Sequence, residues 1–156
     1  MQYNPEIIDL KQIIENNINL VRQQSNQKSI HIYMNIEHKT IAWADKQMID
    51  TVVRNLLSNA LKYTHREGRI DISVQNNQSV VTVCLKDSGI GMSEITRQKL
   101  FRIDEKISLQ GTENEGGTGL GLILCKEFIS INKGSISVES EPGKGSTFCF
   151  TLPKRY

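Results

Sequence analysis

A glycine-rich run at residues 116–122, Gly-Gly-Thr-Gly-Leu-Gly-Leu, leads into an apolar stretch, residues 122–131, that is typical of a helix. Glycines let backbone N–H groups approach an anion closely, and the first turn of a helix adds partial positive charge at the same place. The run is therefore a candidate phosphate-binding site. Because a tight connection would use the same residues, and because the spacing GxGxG is not the dinucleotide-binding GxGxxG, a second motif has to decide.

The second motif is a carboxylate, Asp87, which follows an apolar, β-branched run at residues 80–85 and precedes Gly89 and Gly91. The run predicts a buried strand. A carboxylate at its end can accept a hydrogen bond from the exocyclic amine of a base, and the glycines allow a flat ring to reach the backbone. A local Asp-Ser-Gly turn is the alternative. Seven of the 11 glycines lie between residues 89 and 121, which favours a ligand site.

A third segment, residues 45–63, carries apolar side chains at helical spacing and places Asn55, Asn59, Lys62 and Tyr63 together on the opposite face. Asparagine usually prefers caps and turns, so two of them one turn apart within a helix call for a reason. An amide oxygen suits Mg²⁺, a hard cation that keeps several waters and is shared with substrate phosphates. We expect this helix to begin at an N-cap, Asp45, and to present a metal-binding and phosphate-binding face.

In chain order, residues 45–63, the Asp87 motif and the glycine-rich run resemble the motifs of the catalytic and ATP-binding domain of bacterial sensor histidine kinases, in the superfamily that includes gyrase, Hsp90 and MutL. The resemblance extends from about residue 9 to residue 153, and its motifs are residues 54–64, 87–92, 100–104, 117–122 and 139–153. It implies an α/β two-layer sandwich of the Bergerat type, with a mixed sheet of about five strands and about three helices on one face. It also implies ATP and Mg²⁺ as cofactors.

The resemblance implies a role for each matching residue. Asn59 would hold Mg²⁺, and Asn55 would support the phosphates or the metal. Lys62 would meet the phosphates as a point charge, while Asp87 would accept from the adenine amine. Arg102 would lie at the edge of a lid near the γ-phosphate. The remaining nucleotide contacts would come from Tyr63, Gly89, Gly91, Gly117, Thr118, Gly119, Leu120, Gly121, Thr147 and Phe148; for the last of these, core packing is the alternative.

Residues 102–116 carry few large apolar side chains and hold an acidic Glu-Asn-Glu tract between glycines. With little surface to bury, this segment is expected to be a mobile lid that a nucleotide orders. The alternative is a solvated connection without a gating role.

Two groups that the superfamily uses in catalysis are missing from the sequence, and this limits the reactions expected of the chain. Superfamily members that hydrolyse ATP place a Glu four residues before the metal-binding Asn as general base, and here that position is Asn55, whose amide cannot take a proton. None of His31, His38 and His65 is followed by a sequence like that of the family's phosphorylated histidine. We therefore expect little ATP hydrolysis and no autophosphorylation by this chain alone. The γ-phosphoryl would pass to a histidine on a separate dimerisation domain of a longer parent, and then to the receiver domain of a response regulator.

Composition agrees with one compact domain over residues 1–156, since 38% of the residues are hydrophobic. A net charge of +2 gives no reason to expect nucleic acid as a partner. No apolar run is long enough for a membrane span, so we expect a cytoplasmic piece without membrane contact, whose parent could be membrane-anchored. The three cysteines, Cys84, Cys125 and Cys149, are widely spaced in apolar runs, and we expect all of them to be reduced core residues.

Hydrophobic periodicity predicts the remaining elements. We expect a first amphipathic helix that begins at residue 7 and ends near residues 25–27, and further helices over residues 93–101 and 120–131. Strands are expected at residues 30–36, 41–43, 69–75 and 79–86, with a final hairpin turning at residues 141–145.

Two other classes of protein compete with the kinase interpretation. A Rossmann-type oxidoreductase requires GxGxxG directly after an early strand, whereas the glycines here lie late and follow a polar stretch. A nucleotide-binding module of the same fold without phosphotransfer would keep every motif, and only an assay of transfer to a supplied partner separates it from a kinase.

Overall fold

The computed structural model of the chain describes residues 2–36, 38–101 and 120–155. Its elements in chain order are β1 (Pro5–Asp9), α1 (Leu10–Leu20), α2 (Arg22–Gln27), β2 (His31–Asn35), β3 (Ile41–Asp45), α3 (Lys46–Tyr63), β4 (Arg69–Asn76), β5 (Val80–Asp87), α4 (Glu94–Lys99), α5 (Leu120–Ile131), β6 (Ile136–Glu141) and β7 (Gly145–Pro153).

The main sheet has five strands in the order β2-β4-β5-β7-β6. Strands β2 and β4 are parallel, and the other neighbours are antiparallel. Side chains alternate along β4, β5 and β7, so that one row is buried beneath the helices and the other row faces outward. The predicted two-layer fold, with a mixed five-stranded sheet covered by helices on one face, is confirmed.

Helix α3 forms where the sequence predicts it. Asp45 is its N-cap, and Oδ1 of this side chain accepts a hydrogen bond from Met48 N at 3.1 Å. The buried face consists of Met48, Ile49, Val52, Val53, Leu56, Leu57, Ala60 and Leu61. Because this face is held against the core, the direction of the polar face is fixed as well.

The second long helix of the site, α5, is anchored at its C-terminal end. Asn132 is fully buried, and its Oδ1 accepts from Asp45 N at 2.7 Å, while its Nδ2 donates to Phe128 O at 2.7 Å. A buried amide that bonds both partners ties the end of α5 to the start of α3. The two helices therefore cross in a fixed relation, and the N-terminal turn of α5 lies beside the middle of α3.

The prediction of a single helix beginning at residue 7 is wrong. Residues 5–9 are the strand β1, which pairs with β3 in a separate antiparallel ribbon, with Ile7 opposite Trp43. Helix α1 begins after Asp9, whose Oδ1 accepts from Gln12 N at 3.3 Å, and Val21 separates it from α2. Apolar spacing at residues 7 and 8 fits a helix equally well, and only the distant partner strand decides.

The expectation that all three cysteines are reduced is also wrong. Cys84 on β5 and Cys149 on β7 lie directly opposite each other, with Cα atoms 4.1 Å apart, and they form a disulfide. The two residues are 65 positions apart in the chain, so their spacing gives no sign of the sheet register that brings them together. Cys125 is a free, buried thiol, as expected.

Candidate nucleotide-binding site

The polar face of α3 is only partly exposed. Asn55, Asn59, Lys62 and Tyr63 are all half-buried, whereas Arg54 and Ser58 on the same helix are exposed. Lys62 Nζ lies 5.1 Å from the centroid of the Tyr63 ring, which is a cation–π contact. The four side chains that the sequence analysis grouped together therefore lie on a sheltered side of the helix, where a ligand can be held.

Asn55 links this face to the glycine-rich run. A Cβ added at Gly121 would lie 3.6 Å from Asn55 Cγ, so the amide packs against the first turn of α5. Burial raises the pKa of the neighbouring Cys125 thiol to about 12, an increase partly offset by a hydrogen bond with the Asn55 side chain. The second half of the glycine motif and the asparagine-bearing helix are thus brought together.

Asp87 ends β5 as a buried carboxylate, 6% exposed. Its Oδ1 accepts from two backbone donors, Gly89 N at 2.9 Å and Ser146 N at 3.2 Å. Burial raises the pKa of the Asp87 carboxyl above its ordinary value, and the two N–H donors partly offset that rise. Because both described bonds go to Oδ1, a ligand amine would be met by Oδ2.

The loop after Asp87 is joined to the end of α3. Ile90 N donates to Tyr63 O at 3.0 Å, and a Cβ at Gly89 would overlap that same carbonyl. Glycine is therefore required at position 89, because no side chain fits between the loop and the helix. The backbone bond connects the base-binding candidate to the helix that carries Asn59 and Lys62.

The other side of the loop is held by the β6–β7 hairpin. Gly143 N donates to Ile90 O at 2.7 Å, and Met92 N donates to Ser140 Oγ at 2.8 Å. Gly91 adopts φ 69°, and a Cβ there would overlap Glu141 O. Glycine is required at position 91 both for its backbone conformation and for its closeness to the hairpin.

Ser146 is a site residue that the sequence analysis did not name. Besides its N–H donation to Asp87, its hydroxyl lies 2.8 Å from Ser140 Oγ. Residues directly opposite on neighbouring strands share a face, and Ser146 is opposite Asp87 while Thr147 is opposite Lys86. The structure therefore does not bring Thr147 to Asp87, whereas Phe148 is buried on the Asp87 side of the sheet. Because side chains alternate along a strand, the sequence could have indicated that Ser146 lies on the same side of β7 as Phe148 and that Thr147 lies on the other.

The predicted lid, residues 102–116, lies outside the described residues. The same is true of four predicted site residues: Arg102, Gly117, Thr118 and Gly119. Leu120 begins α5, and nothing further is described for its side chain.

A cavity elsewhere in the molecule does not coincide with these residues. It measures about 490 Å³ and lies at the other end of the main sheet, where β2 and β4 end. Its lining residues are Met34, Asn35, Ile36, His38, Lys39, Thr40, Val74 and Asn76. None of them belongs to the motifs above, so the candidate site is identified by its chemistry and not by cavity size.

Helices in the described parts of the chain are all too short or too polar to cross a membrane.

Together, the two-layer fold and the junction of an asparagine-bearing helix with an Asp-Gly loop define a nucleotide-binding domain of the ATPase class. Residues 44–156 match the family described as Histidine kinase-, DNA gyrase B-, and HSP90-like ATPase. The chain belongs to this family.

Its relatives include sensor proteins of bacteria. The chain is 33% identical over 154 residues to the Sensor protein SrrB of Staphylococcus aureus strain MRSA252, a match that covers 99% of the chain and 26% of that protein. It thus spans about a quarter of the length of this relative.

Among solved structures, the nucleotide-free catalytic domain of the histidine kinase ThkA superposes with a TM-score of 0.85 at 25% identity, covering 98% of this chain and 99% of that one. The mycobacterial sensor histidine kinase MprB shares the fold, with a TM-score of 0.82 at 22% identity, over 97% of this chain and 99% of that one.

Proposed function

We propose that this chain is the ATP-binding catalytic part of a longer two-component sensor histidine kinase, which presents the γ-phosphoryl of ATP to a histidine on a separate dimerisation domain. The family match supports the proposal, as do the likeness to the sensor protein SrrB and the likeness to the catalytic domain of ThkA.

One observation carries this proposal, namely the backbone hydrogen bond from Ile90 N to Tyr63 O at 3.0 Å. Tyr63 lies one turn after Asn59 on α3, and Ile90 lies three residues after Asp87. The bond therefore couples an amide suited to metal and phosphate with a carboxylate suited to a base amine. Two such groups held by one backbone junction fit the opposite ends of a single nucleotide.

At the base end, Asp87 would discriminate between purines. Its Oδ1 is occupied by Gly89 N and Ser146 N, so Oδ2 would accept from the exocyclic amine of adenine. Guanine presents a carbonyl at the equivalent position, which a carboxylate would repel. Phe148, buried on the same side of the sheet, would give the base an apolar neighbour.

At the phosphate end, Asn59 would supply one oxygen ligand and Lys62 a positive charge. The described residues contain no group of three His, Cys, Asp or Glu side chains that could hold a metal by themselves. This donor set fits Mg²⁺, which takes few protein ligands and shares the substrate's phosphates, where it supplies neutralising charge. Arg102 and Gly117, Thr118, Gly119 and Gly121 would complete the phosphate contacts.

The site is suited to transfer and not to hydrolysis. Asn55 occupies the position from which a general base would act, and its amide packs against Gly121 and bonds Cys125. An amide cannot accept a proton from water, so the side chains here position and neutralise without activating a water molecule. The γ-phosphoryl would therefore be retained for a protein acceptor.

The proposed partners follow from the same reasoning. ThkA has been solved in complex with the response regulator protein TrrA, in a structure whose kinase is 24% identical to this chain. We expect the phosphoryl group to pass from the dimerisation domain to a comparable receiver domain.

Calorimetric titration with ATP and GTP, each with and without Mg²⁺, tests the proposal. We expect ATP to bind, GTP to bind far more weakly, and Mg²⁺ to strengthen the binding of ATP. Equal affinity for the two nucleotides would contradict the role of Asp87. Transfer from ATP to a supplied dimerisation domain separates a kinase from a binding module, which would bind ATP without phosphorylating that partner.

A further inference from the structure

A lysine side chain, Lys28, is buried behind the nucleotide-binding candidate. Its side chain comes from the turn after α2, and the residue is only 5% exposed. Its Nζ donates to Leu61 O at 2.8 Å and to Lys62 O at 3.3 Å. Both acceptors lie in the last turn of α3. A lysine is almost never so deeply buried unless it is paired, and these two carbonyls are partners of that kind.

The end of a helix is where such a cation is most effective. The last four carbonyls of an α-helix have no partner within the helix, and they form the negative end of the helix dipole. Lys28 bonds two of these carbonyls, while Thr64 turns the chain to an extended conformation directly after Tyr63. The last turn of α3 is therefore held in place by a side chain from another element.

Lys28 also fixes the chain that follows the helix. Its own backbone carbonyl accepts from Glu67 N at 2.9 Å, in the turn between α3 and β4. The lysine thus bonds the chain on both sides of Tyr63, through Nζ before it and through its carbonyl after it. Tyr63 O in turn receives the hydrogen bond from Ile90 N.

We propose that Lys28 is a positioning residue for phosphate binding, which sets the last turn of α3 relative to the Asp87 loop. This inference rests on the proposed function. The last turn carries Lys62 and Tyr63, and Asn59 lies one turn earlier. Asp87 itself is held by Gly89 N of its own loop and by Ser146 N of β7. Loss of Lys28 should therefore weaken the binding of the phosphates and leave the binding of the base nearly unchanged.

The test compares two ligands that differ only in phosphate. ADP and adenosine are titrated, in the presence of Mg²⁺, into the 156-residue chain and into three variants: Lys28→Met, Lys28→Arg and Lys46→Met. Lys46 is an exposed lysine at the start of α3, so Lys46→Met removes an equal charge at the end of α3 opposite to the turn that Lys28 bonds. Affinities are measured by NMR titration, and the single tryptophan, Trp43, reports whether each variant is folded.

We expect Lys28→Met to bind ADP about ten- to a hundredfold more weakly, the size of effect seen when a residue that supports a ligand group is lost. Adenosine affinity should change by less than about threefold, because the contacts of Asp87 are intact. Lys28→Arg, which keeps a cation able to reach carbonyls, should restore most of the ADP affinity, and Lys46→Met should bind both ligands like the unaltered chain.

Equal losses of ADP and adenosine affinity in Lys28→Met would overturn the inference, because they would show a general effect on the fold. If Lys28→Met does not fold, the test uses Lys28→Gln, which keeps a donor on a shorter side chain. The deciding quantity is again the loss of ADP affinity relative to the loss of adenosine affinity. Failure of the unaltered chain to bind ADP at all would instead contradict the proposed function. The two failures are therefore distinguishable.

Discussion

The two halves of the candidate site are held by different kinds of contact. In the base half, backbone groups of three elements bond Asp87 and the loop after it: Tyr63 O of α3 and Gly143 N of the hairpin turn bond Ile90, and Ser146 N of β7 bonds the Asp87 carboxylate. In the phosphate half, the first turn of α5 meets α3 by packing of Gly121 against Asn55, at ordinary van der Waals distance. Hydrogen bonds between the two helices lie further along α5 and at its C-terminal end, from Cys125 Sγ to Val52 O and from Asn132 Nδ2 to Met48 Sδ.

This difference teaches where the site is rigid. Hydrogen bonds fix both distance and direction, whereas packing contacts accept small displacements. The base half should therefore be formed before a nucleotide binds, and a single added methyl group should disturb it. At Gly121, the phosphate half should tolerate an added methyl group. Its affinity for a nucleotide should depend instead on charge and on the oxygen ligands of the metal.

The strongest test of this difference in rigidity is Gly91→Ala in the base half. The positive φ of 69° and the overlap of a Cβ with Glu141 O should together lower the free energy of unfolding by about 2–4 kcal/mol. ATP binding should be lost with it. Denaturant unfolding and calorimetry measure the two effects. Gly143→Ala is the matched control, since Gly143 has φ 78° but nothing near its Cβ, and it should cost only about 1 kcal/mol.

Asp87→Asn should separate binding from stability. The amide keeps an oxygen for Gly89 N and Ser146 N but presents a donor to the adenine amine, so ATP affinity should fall about ten- to a hundredfold. At neutral pH, the variant should be at least as stable as the unaltered chain, because a raised pKa means that the ionised carboxyl opposes folding.

The pH dependence of Asp87→Asn has a definite sign. The native pKa of Asp87 lies above its unfolded value, so the unaltered chain takes up a proton on folding within the window between them. Its stability relative to the variant should therefore rise as the pH falls through this window. Thermal unfolding of both proteins over a pH series measures the difference, and a relative stability that falls with decreasing pH would contradict the assignment.

Asn59→Ala should act on the phosphate half alone. Without the amide oxygen, Mg²⁺ should no longer strengthen ATP binding, a loss on the order of tenfold in the presence of the metal. Binding without Mg²⁺ should be nearly unchanged. Ser58→Ala, an exposed neighbour on the same turn, is the control and should preserve the effect of the metal in the same titrations. A metal effect that survives Asn59→Ala would exclude this residue as a ligand.

The smallest effect is expected from Gly121→Ala, the counterpart of Gly91→Ala. The nearest atoms to its Cβ would be those of Asn55 at 3.6–3.8 Å, which is ordinary contact, and alanine favours a helix over glycine. The free energy of unfolding should stay the same or rise by up to about 1 kcal/mol. A destabilisation as large as that of Gly91→Ala would show that the two halves are equally rigid.

Local patterns were sufficient for the elements that carry the site. The 3.6-residue spacing along α3 and the alternation along β5 and β7 are set by burial of one face. Burial of one face is visible in the sequence as a periodic pattern of apolar residues. The cap at Asp45 and the glycines after Asp87 follow from backbone chemistry within a few residues. These features could therefore be predicted one segment at a time.

Features that depend on pairing between distant segments could not be predicted in this way. Strand β1 is defined by its partner β3, and the hydrogen bond from Ser146 N to the Asp87 carboxylate depends on the register between β5 and β7. Lys28 lies in a polar run without periodicity, and its role is visible only once the end of α3 is packed above it. In each case, the missing information is a long-range contact.

The Cys84–Cys149 disulfide encloses everything between these two residues, from the Asp87 loop through α4 and α5 to β6, in one covalent ring. A single protease cut anywhere inside the ring would open it without releasing a fragment. On a denaturing gel the nicked chain would therefore migrate as one species until a reductant separated its pieces.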